Sequence, residues 1–171
     1  MNRIFKILNI TFSFVLIISC KESKVPKNEA DRIIIELYMQ VSKEDQFEIF
    51  YRNTDQVYQT NKSVIVKVEA SSLLQKIKFI LPDQIFPDYL RIDLGNNENQ
   101  EEMLLENITI KYNSEEKEFN KEAIKKYFRP SEFIVKEGFP STLKTIKLNN
   151  RYDPLLDSNN LSGIINNLIL Y

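Results

Sequence analysis

Short segments in which apolar and polar residues alternate constrain this chain more than any other feature, and they recur from residue 32 onward. A period of two places apolar side chains on one face of a β-strand and polar side chains on the other. The segments with this pattern are 32–41, 46–51, 63–69, 75–81, 89–94 and 107–112. Several short strands with one apolar face each predict a mainly β domain, an antiparallel β-sandwich.

The first two segments are separated only by residues 42–45, which have the composition of a turn, so we expect a hairpin there. The first segment also fits one face of a helix through Ala30, Ile34, Leu37 and Val41, which leaves a helix as the alternative. Its run of isoleucines favours the strand. In the later segments the alternation assigns inward-facing side chains, namely Val64, Val66, Val68, Ile77, Phe79, Leu81, Leu90, Ile92, Leu94, Ile108 and Ile110.

One short helix is predicted at about residues 120–128. Asn120 can cap its start, Pro130 follows its end, and its apolar residues share one face. We interpret it as a lid over one end of the sandwich. Further strands are expected near 132–135 and 142–148, whereas the charged cluster 115–118 is expected to be a solvated turn. The apolar segment 161–171 fits either a final strand or a short helix.

A resemblance supports the same fold. Segments 45–51, 77–83, 90–94 and 108–110 resemble the strands of a β-sandwich domain found in bacterial envelope proteins, some of them linked to polysaccharide assembly. The similar region spans residues 32–112. The resemblance implies an envelope-associated sandwich.

The first twenty residues predict an export signal. Arg3 and Lys6 precede an uncharged apolar run over 7–18, which is too short for a comfortable membrane span. The following Ile17-Ile18-Ser19-Cys20 resembles the lipobox of bacterial lipoproteins. The resemblance implies diacylation of Cys20 and cleavage before it, and several acyl chains anchor a protein stably where one does not. The alternative is an uncleaved signal anchor.

The same resemblance predicts the organisation and location of the mature protein. Residues 1–19 would be the signal peptide, 20–31 a lipidated polar tether, and 32–171 the sandwich domain. Lys21 rather than aspartate after Cys20 disfavours retention at the inner membrane, and 20–24 is similar to the surface-export signal of some Bacteroidetes lipoproteins. We therefore expect an extracytoplasmic protein, anchored at the outer membrane by acylated Cys20, with the periplasmic and surface faces both open.

Composition excludes several kinds of site. The chain has no histidine, and Cys20 is its only cysteine, so Ser-His-Asp and Cys-His catalysis, intramolecular disulfides and zinc sites built on these residues are all excluded. The signal holds two of the 23 basic residues and none of the 24 acidic ones, which leaves the mature chain at −3. The charges are interspersed, so we expect no nucleic-acid partner. No cofactor, metal site or catalytic residue is predicted.

Some side chains could nevertheless bind a ligand. Tyr51, Tyr58 and Tyr89 could stack on sugar rings if they share an exposed face, although tyrosines in β-rich chains are first of all core and edge residues. Arg91 and Asp93 lie two apart on one strand and so share a face. Either an ordinary surface ion pair or a ligand contact explains them.

Two carboxylate-rich regions have structural explanations beside the chemical ones. Asp83, Asp88 and Asp93 could in principle supply a catalytic pair for glycoside hydrolysis, but turns and an exposed strand face account for them equally well. The oxygen-rich loop 96–102 could approach a calcium ion, yet it lacks the alternating carboxylates and turn glycine of an EF-hand loop, so a mobile polar loop is the favoured interpretation.

The sequence therefore predicts a lipid-anchored accessory of the cell envelope that binds a glycan or a partner protein without catalysis. The alternatives are a polysaccharide-active enzyme that uses paired carboxylates and a purely structural envelope component. An enzyme needs two carboxylates in one concavity, a glycan binder needs exposed tyrosines beside polar groups, and a protein binder needs an exposed apolar patch.

Overall fold

The computed structural model of the chain describes residues 29–170. The predicted signal peptide, Cys20 and most of the predicted tether lie outside these residues. The described part begins with a 3-10 helix at Glu29–Asp31 and continues into ten strands, β1 to β10 in chain order. These are Ile34–Val41, Asp45–Arg52, Ser63–Val68, Ser71–Ile80, Tyr89–Asp93, Met103–Tyr112, Glu115–Phe119, Phe128–Pro130, Thr142–Leu143 and Leu155–Ser158.

The strands form two antiparallel five-stranded sheets, which confirms the predicted fold class. The first sheet has the order β4-β1-β6-β7, with β9 paired to β6, and is called sheet A. The second has the order β3-β2-β5-β10-β8 and is called sheet B. Two helices, α1 at Lys121–Tyr127 and α2 at Ser162–Leu170, complete the described chain.

The core is built from the faces that the alternation predicts. Ile77 and Phe79 of β4, Leu90 and Ile92 of β5, and Ile110 of β6 are all at most 4 % exposed. Val64 and Val66 are partly buried and pack against the same core. Each such side chain contributes about 1.5–3 kcal/mol when it leaves water, so the burial of these two facing layers is a main stabilising contribution to the sandwich.

The predicted first hairpin is wrong, although both of its strands exist. β1 pairs with β4 and β6 in sheet A, whereas β2 pairs with β3 and β5 in sheet B. The chain between them turns a corner from one sheet to the other. Gln100 holds this corner: its Oε1 accepts from Ser42 Oγ at 3.0 Å and from Lys43 N at 2.9 Å, and its Nε2 donates to Lys43 O at 3.1 Å.

The charged cluster 115–118 is a strand and not a turn. It forms most of β7, which lies at the edge of sheet A and pairs with β6 through a tight connection at Asn113 (φ 53°). Its charged side chains point mainly to solvent and only Phe119 is buried. Charges on an edge strand also discourage pairing with other chains, so their composition does not exclude a strand.

The helix prediction is confirmed with small changes. Asn120 Oδ1 accepts from Ala123 N at 3.0 Å, and Ile124 is buried against the core. α1 ends at Tyr127 because Phe128 takes an extended conformation (φ −125°, ψ 140°) and begins β8. The ambiguous C-terminal segment is a second helix, α2, with Ile165 and Leu168 buried.

The two late strands are largely absent. Residues 132–135 contribute only an isolated bridge between Ile134 and Thr145, and the predicted strand 142–148 shrinks to β9. Turns interrupt both ladders, for example at Gly138, where φ is +86° and a β-carbon would press on Thr142. None of the helices in residues 29–170 is long and apolar enough to cross a membrane.

Candidate functional site

The predicted ligand-binding residues lie on or near one face, with one exception. Tyr89, Arg91 and Asp93 alternate along β5 with the buried Leu90 and Ile92 and so face outward from sheet B. Tyr58 joins them from the loop between β2 and β3. Tyr51, by contrast, points into the core and is only 7 % exposed. The structure therefore does not bring the three tyrosines together on one exposed surface.

Arg91 and Asp93 form a two-pronged ion pair. Arg91 Nε donates to Asp93 Oδ1 at 2.7 Å and Nη2 donates to Asp93 Oδ2 at 2.9 Å. Nη2 also donates to Asp153 Oδ1 at 3.3 Å. Across the ladder Arg91 faces Phe50, whose ring centre lies 5.5 Å from the guanidinium. Such a fork fixes both side chains better than a lysine pair would.

Burial acts on both members of this pair. It raises the pKa of Asp93, an effect that Arg91 opposes and that Asp153 and Glu48 reinforce. Burial alone would lower the pKa of Arg91, but its bonds to Asp93 and the surrounding carboxylates raise it overall. A carboxyl group with a raised pKa resembles a general acid. Both Asp93 oxygens are however bonded to Arg91, so the geometry fits a preorganised polar surface better than a proton donor.

Asp157 connects this pair to Tyr58. On β10 it lies opposite Arg91 of β5 and Arg129 of β8, and its Oδ1 accepts from the Tyr58 hydroxyl at 2.9 Å. Burial, followed by the adjacent Asp157 carboxylate, raises the pKa of Tyr58 well above its ordinary value. The phenol therefore stays protonated and is a fixed hydrogen-bond donor to Asp157.

Arg52 is the central residue that sequence analysis missed. Its guanidinium carbon lies 3.9 Å from the ring centre of Tyr89 and 5.0 Å from that of Tyr58. Nη1 also donates to Asn53 O at 3.3 Å and to Gln56 O at 3.2 Å. Its place at the end of β2, opposite Tyr89 in the ladder, depends on strand pairing that one sequence does not reveal. We call this surface, formed by Arg52, Tyr58, Tyr89, Arg91, Asp93 and Asp157, the tyrosine–arginine face.

A groove of about 330 Å³ adjoins this face at the end of the sandwich where β2 finishes, and we call it the Arg52 groove. Arg52 and Lys62 form its cationic part. The amides of Asn53, Gln56 and Gln84 and the apolar side chains of Tyr51, Ile85 and Phe86 complete the lining. The residue Tyr51 therefore borders the groove although most of its ring is buried.

A second concavity, of about 480 Å³, lies at the opposite end of β2 and has a structural explanation. Asp45 accepts there from the backbone amides of Gln46, Asn96 and Asn97 at 2.8, 3.1 and 3.2 Å. Gly95 has φ +91°, and a β-carbon on it would lie 2.2 Å from the Asp45 carboxylate. Hydrogen bonds to the Asp45 carboxylate thus hold the start of the oxygen-rich loop in position.

Asp88, one of the candidate carboxylates, takes part in a turn. Asp88 Oδ2 accepts from Thr54 N at 2.8 Å and Thr54 Oγ1 at 2.7 Å, which is turn chemistry. These hydrogen bonds involve neither Arg91 nor Asp93. Within residues 29–170, no group of three or more acidic, histidine or cysteine side chains is placed to hold a metal ion.

The outer face of sheet A offers a contrast. Glu36 of β1 lies 3.2 Å from both Lys76 of β4 and Lys111 of β6, and Lys111 also pairs with Glu116 at 3.0 Å. Burial would raise the pKa of Glu36, but hydrogen bonds from Lys111 and Lys76 outweigh it and lower the pKa. In this ladder each of these lysines has a carboxylate partner within the sheet. Neither Lys76 nor Lys111 is described as stacked on an aromatic ring.

The sequence matches no known protein family, no curated protein and no solved structure. A functional inference for this chain therefore starts from its own surfaces, the tyrosine–arginine face and the Arg52 groove among them.

Proposed function

We propose that this chain is a lipid-anchored lipoprotein of the cell envelope whose β-sandwich binds a glycan through the tyrosine–arginine face, without catalysing a reaction on it. The observation that carries the proposal is the position of the Arg52 guanidinium against two tyrosine rings. Its carbon lies 3.9 Å from the ring centre of Tyr89 and 5.0 Å from that of Tyr58. This arrangement lies on the outer face of sheet B, and the core lies on the other face of the strands.

The chemistry of the face suits a sugar. Sugar rings present C–H patches beside hydroxyl groups, and they are bound by aromatic or apolar surface next to a few fixed donors and acceptors. The face and its groove supply half-buried tyrosines, amides and a forked Arg91–Asp93 pair. Because these polar groups already hold one another in place, little ordering is required when a ligand binds.

The path of the chain is compatible with the anchor. Ile33 O accepts from Leu81 N at 2.9 Å, so the described chain enters beside the loop that carries Gln84, Ile85 and Phe86 of the groove. If Cys20 is acylated, the tether predicted over residues 20–31 joins the lipid to the domain, whose described chain begins near this loop. The protein would then hold glycan close to the membrane in which it is anchored.

A glycan-binding measurement tests the proposal. The purified lipoprotein in neutral detergent is applied to an array of bacterial envelope and external polysaccharides, and hits are measured by calorimetry. We expect Arg91→Ala and Tyr58→Ala to weaken binding about tenfold each, since each removes charge-assisted or stacking contacts. Lys76→Ala, on the outer face of sheet A, is the matched control and should bind normally. Failure of the unmodified protein to retain any glycan would contradict the proposal.

A protein partner is the second candidate. Leu73 and Leu74, at the start of the edge strand β4, are 75 % and 39 % exposed. Exposed apolar side chains on a sheet edge are typical of a site where an extended segment of another protein adds a strand. Leu73→Lys would abolish such an interaction and leave glycan binding unchanged, so the two candidates are separable in one pair of assays.

A further inference from the structure

The Arg52 groove has an uncompensated positive charge. Arg52 and Lys62 both line it, and none of the side chains that line it is acidic. Among the described residues, neither of these two cations has a carboxylate within 4.0 Å, whereas Arg91, Lys76 and Lys111 each have at least one. A charge-assisted hydrogen bond to an incoming anion is therefore still available in this groove.

Both cations are nevertheless held in place by neutral groups. Arg52 donates through Nη1 to the carbonyls of Asn53 and Gln56, and its guanidinium, which has five N–H donors in all, also contacts Tyr58. Lys62 Nζ donates to Gln56 Oε1 at 2.8 Å. Gln56 thus links the two, through its backbone carbonyl and its side chain. A fixed pair of cations loses less side-chain entropy on binding an anion than free surface lysines do.

The rest of the lining favours a sugar ring as the carrier of that anion. Phe86 is half-buried and packs edge-on against Tyr112 at 5.4 Å, which holds its ring in position. Ile85 and the edge of Tyr51 extend this apolar side of the groove, and the Asn53 and Gln84 amides provide donors and acceptors. Apolar surface on one side and amides with cations on the other match a ring that has C–H groups, hydroxyls and one carboxylate.

We propose that the Arg52 groove binds the carboxylate of an acidic sugar, a hexuronate unit of a polysaccharide, with Arg52 and Lys62 as the residues that receive it. This inference rests on the proposed glycan-binding function and specifies the class of glycan. No covalent step is involved. Selectivity arises because a neutral sugar leaves both cations without an anionic partner, whereas a hexuronate gains two charge-assisted contacts.

The test compares matched ligands on the full lipoprotein in neutral detergent. Calorimetry is performed with oligogalacturonate and with the same oligomer after reduction of its carboxylates to hydroxymethyl groups. We expect the acidic oligomer to bind at least tenfold more tightly, and the difference to shrink as salt is raised. Equal affinity for the two oligomers would overturn the inference but leave the proposed function intact. Absence of binding to either of them and to every glycan on the array would contradict both.

Variants locate the effect. Lys62→Gln should reduce affinity for the acidic oligomer about tenfold and leave that for the reduced oligomer unchanged, and Arg52→Gln should do the same more strongly. Lys76→Gln is the control for a lost positive charge elsewhere. Because Arg52 also stacks on Tyr89, thermal unfolding is recorded for each variant, and Lys62→Gln decides the outcome if Arg52→Gln is unstable. An unchanged preference in Lys62→Gln and Arg52→Gln would overturn the assignment to this groove.

Competition distinguishes other sources of an anion. Inorganic phosphate and dihexanoylphosphatidylglycerol, a soluble anionic phospholipid, are added at millimolar concentration. We expect neither to displace the oligomer, because neither presents a sugar ring with a carboxylate. Displacement by the phospholipid at lower concentration than the oligomer itself would overturn the inference in favour of membrane headgroup binding.

Discussion

Among single residues, Glu36 and Arg52 represent two uses of charge on a sheet surface. Glu36 lies between Lys76 and Lys111 at 3.2 Å from each and satisfies both. Arg52 has aromatic rings and backbone carbonyls around it and no described carboxylate within 4.0 Å. The first arrangement pairs each charge with an opposite one, and in the second the positive charge is held by neutral groups.

Replacement of Glu36 should reveal its contribution through pH. The pKa of Glu36 is lowered in the folded protein from its ordinary value of 4.5, so its ionised form stabilises the fold above that value and this contribution is lost as pH falls through the folded-state pKa. We expect Glu36→Gln to be about 1–2 kcal/mol less stable than the unmodified protein at neutral pH, with the difference shrinking at about pH 3.

Urea unfolding at the two pH values measures this difference. Glu69→Gln, an exposed acidic position with no ion pair among those described, serves as the control for loss of one negative charge. A difference between Glu36→Gln and the unmodified protein that stays constant from neutral to acid pH would show that the lysines do not act on the Glu36 carboxylate.

The sequence indicates which face of a strand a residue occupies, but it does not indicate which residues of other strands lie next to it. The outward direction of Arg91 and Asp93 follows from strand alternation, and their pairing follows from the spacing of two. Arg52 and Asp157 were missed because they reach Tyr89 and Arg91 only through the ladders β2–β5 and β5–β10. Tyr51 lies in the core because the alternation of β2 places it on the same face as the buried Phe47 and Ile49.

For the strands and helices, local patterns predicted which segments form strands but not which strands pair with each other. The period of two identified β1 to β6 because side-chain direction in a strand is a local property. The hairpin prediction for β1 and β2 failed because a four-residue turn and a corner between sheets have similar composition. The hydrogen bonds that distinguish them come from Gln100, more than fifty residues away.

We therefore expect Gln100 to contribute more to the free energy of unfolding than an ordinary polar side chain does. Gln100→Ala removes three hydrogen bonds at an amide that is 8 % exposed, and it leaves the Lys43 backbone groups without their partner. We expect a loss of about 1–3 kcal/mol in the free energy of unfolding, measured by urea denaturation. Gln59→Ala, at an exposed loop position, should change stability by less than about 0.5 kcal/mol. Equal effects of the two substitutions would exclude Gln100 as the support of the corner.

At the scale of the whole molecule, the proposed anchor at Cys20 would determine where the sandwich works. We expect the native protein, expressed in a Gram-negative host, to incorporate labelled palmitate and to fractionate with the outer membrane. Cys20→Ala should lose essentially all of the label, because no other cysteine is present to receive a thioether-linked lipid. Equal labelling of the two proteins would contradict the lipoprotein assignment, and retention of an unlabelled, uncleaved native protein in the inner membrane would indicate a signal anchor.

The corner at residues 42–44 also has a consequence for how the chain folds. Because β1 and β2 enter different sheets, the centre of each sheet is closed by strands that are distant in sequence, such as β1 with β6 and β2 with β5. Only β2 with β3 and β6 with β7 can pair as local hairpins. Neither sheet can be completed before the chain has closed long loops, so β1 lacks one of its two neighbours until the residues of β6, 103–112, are available to pair with it.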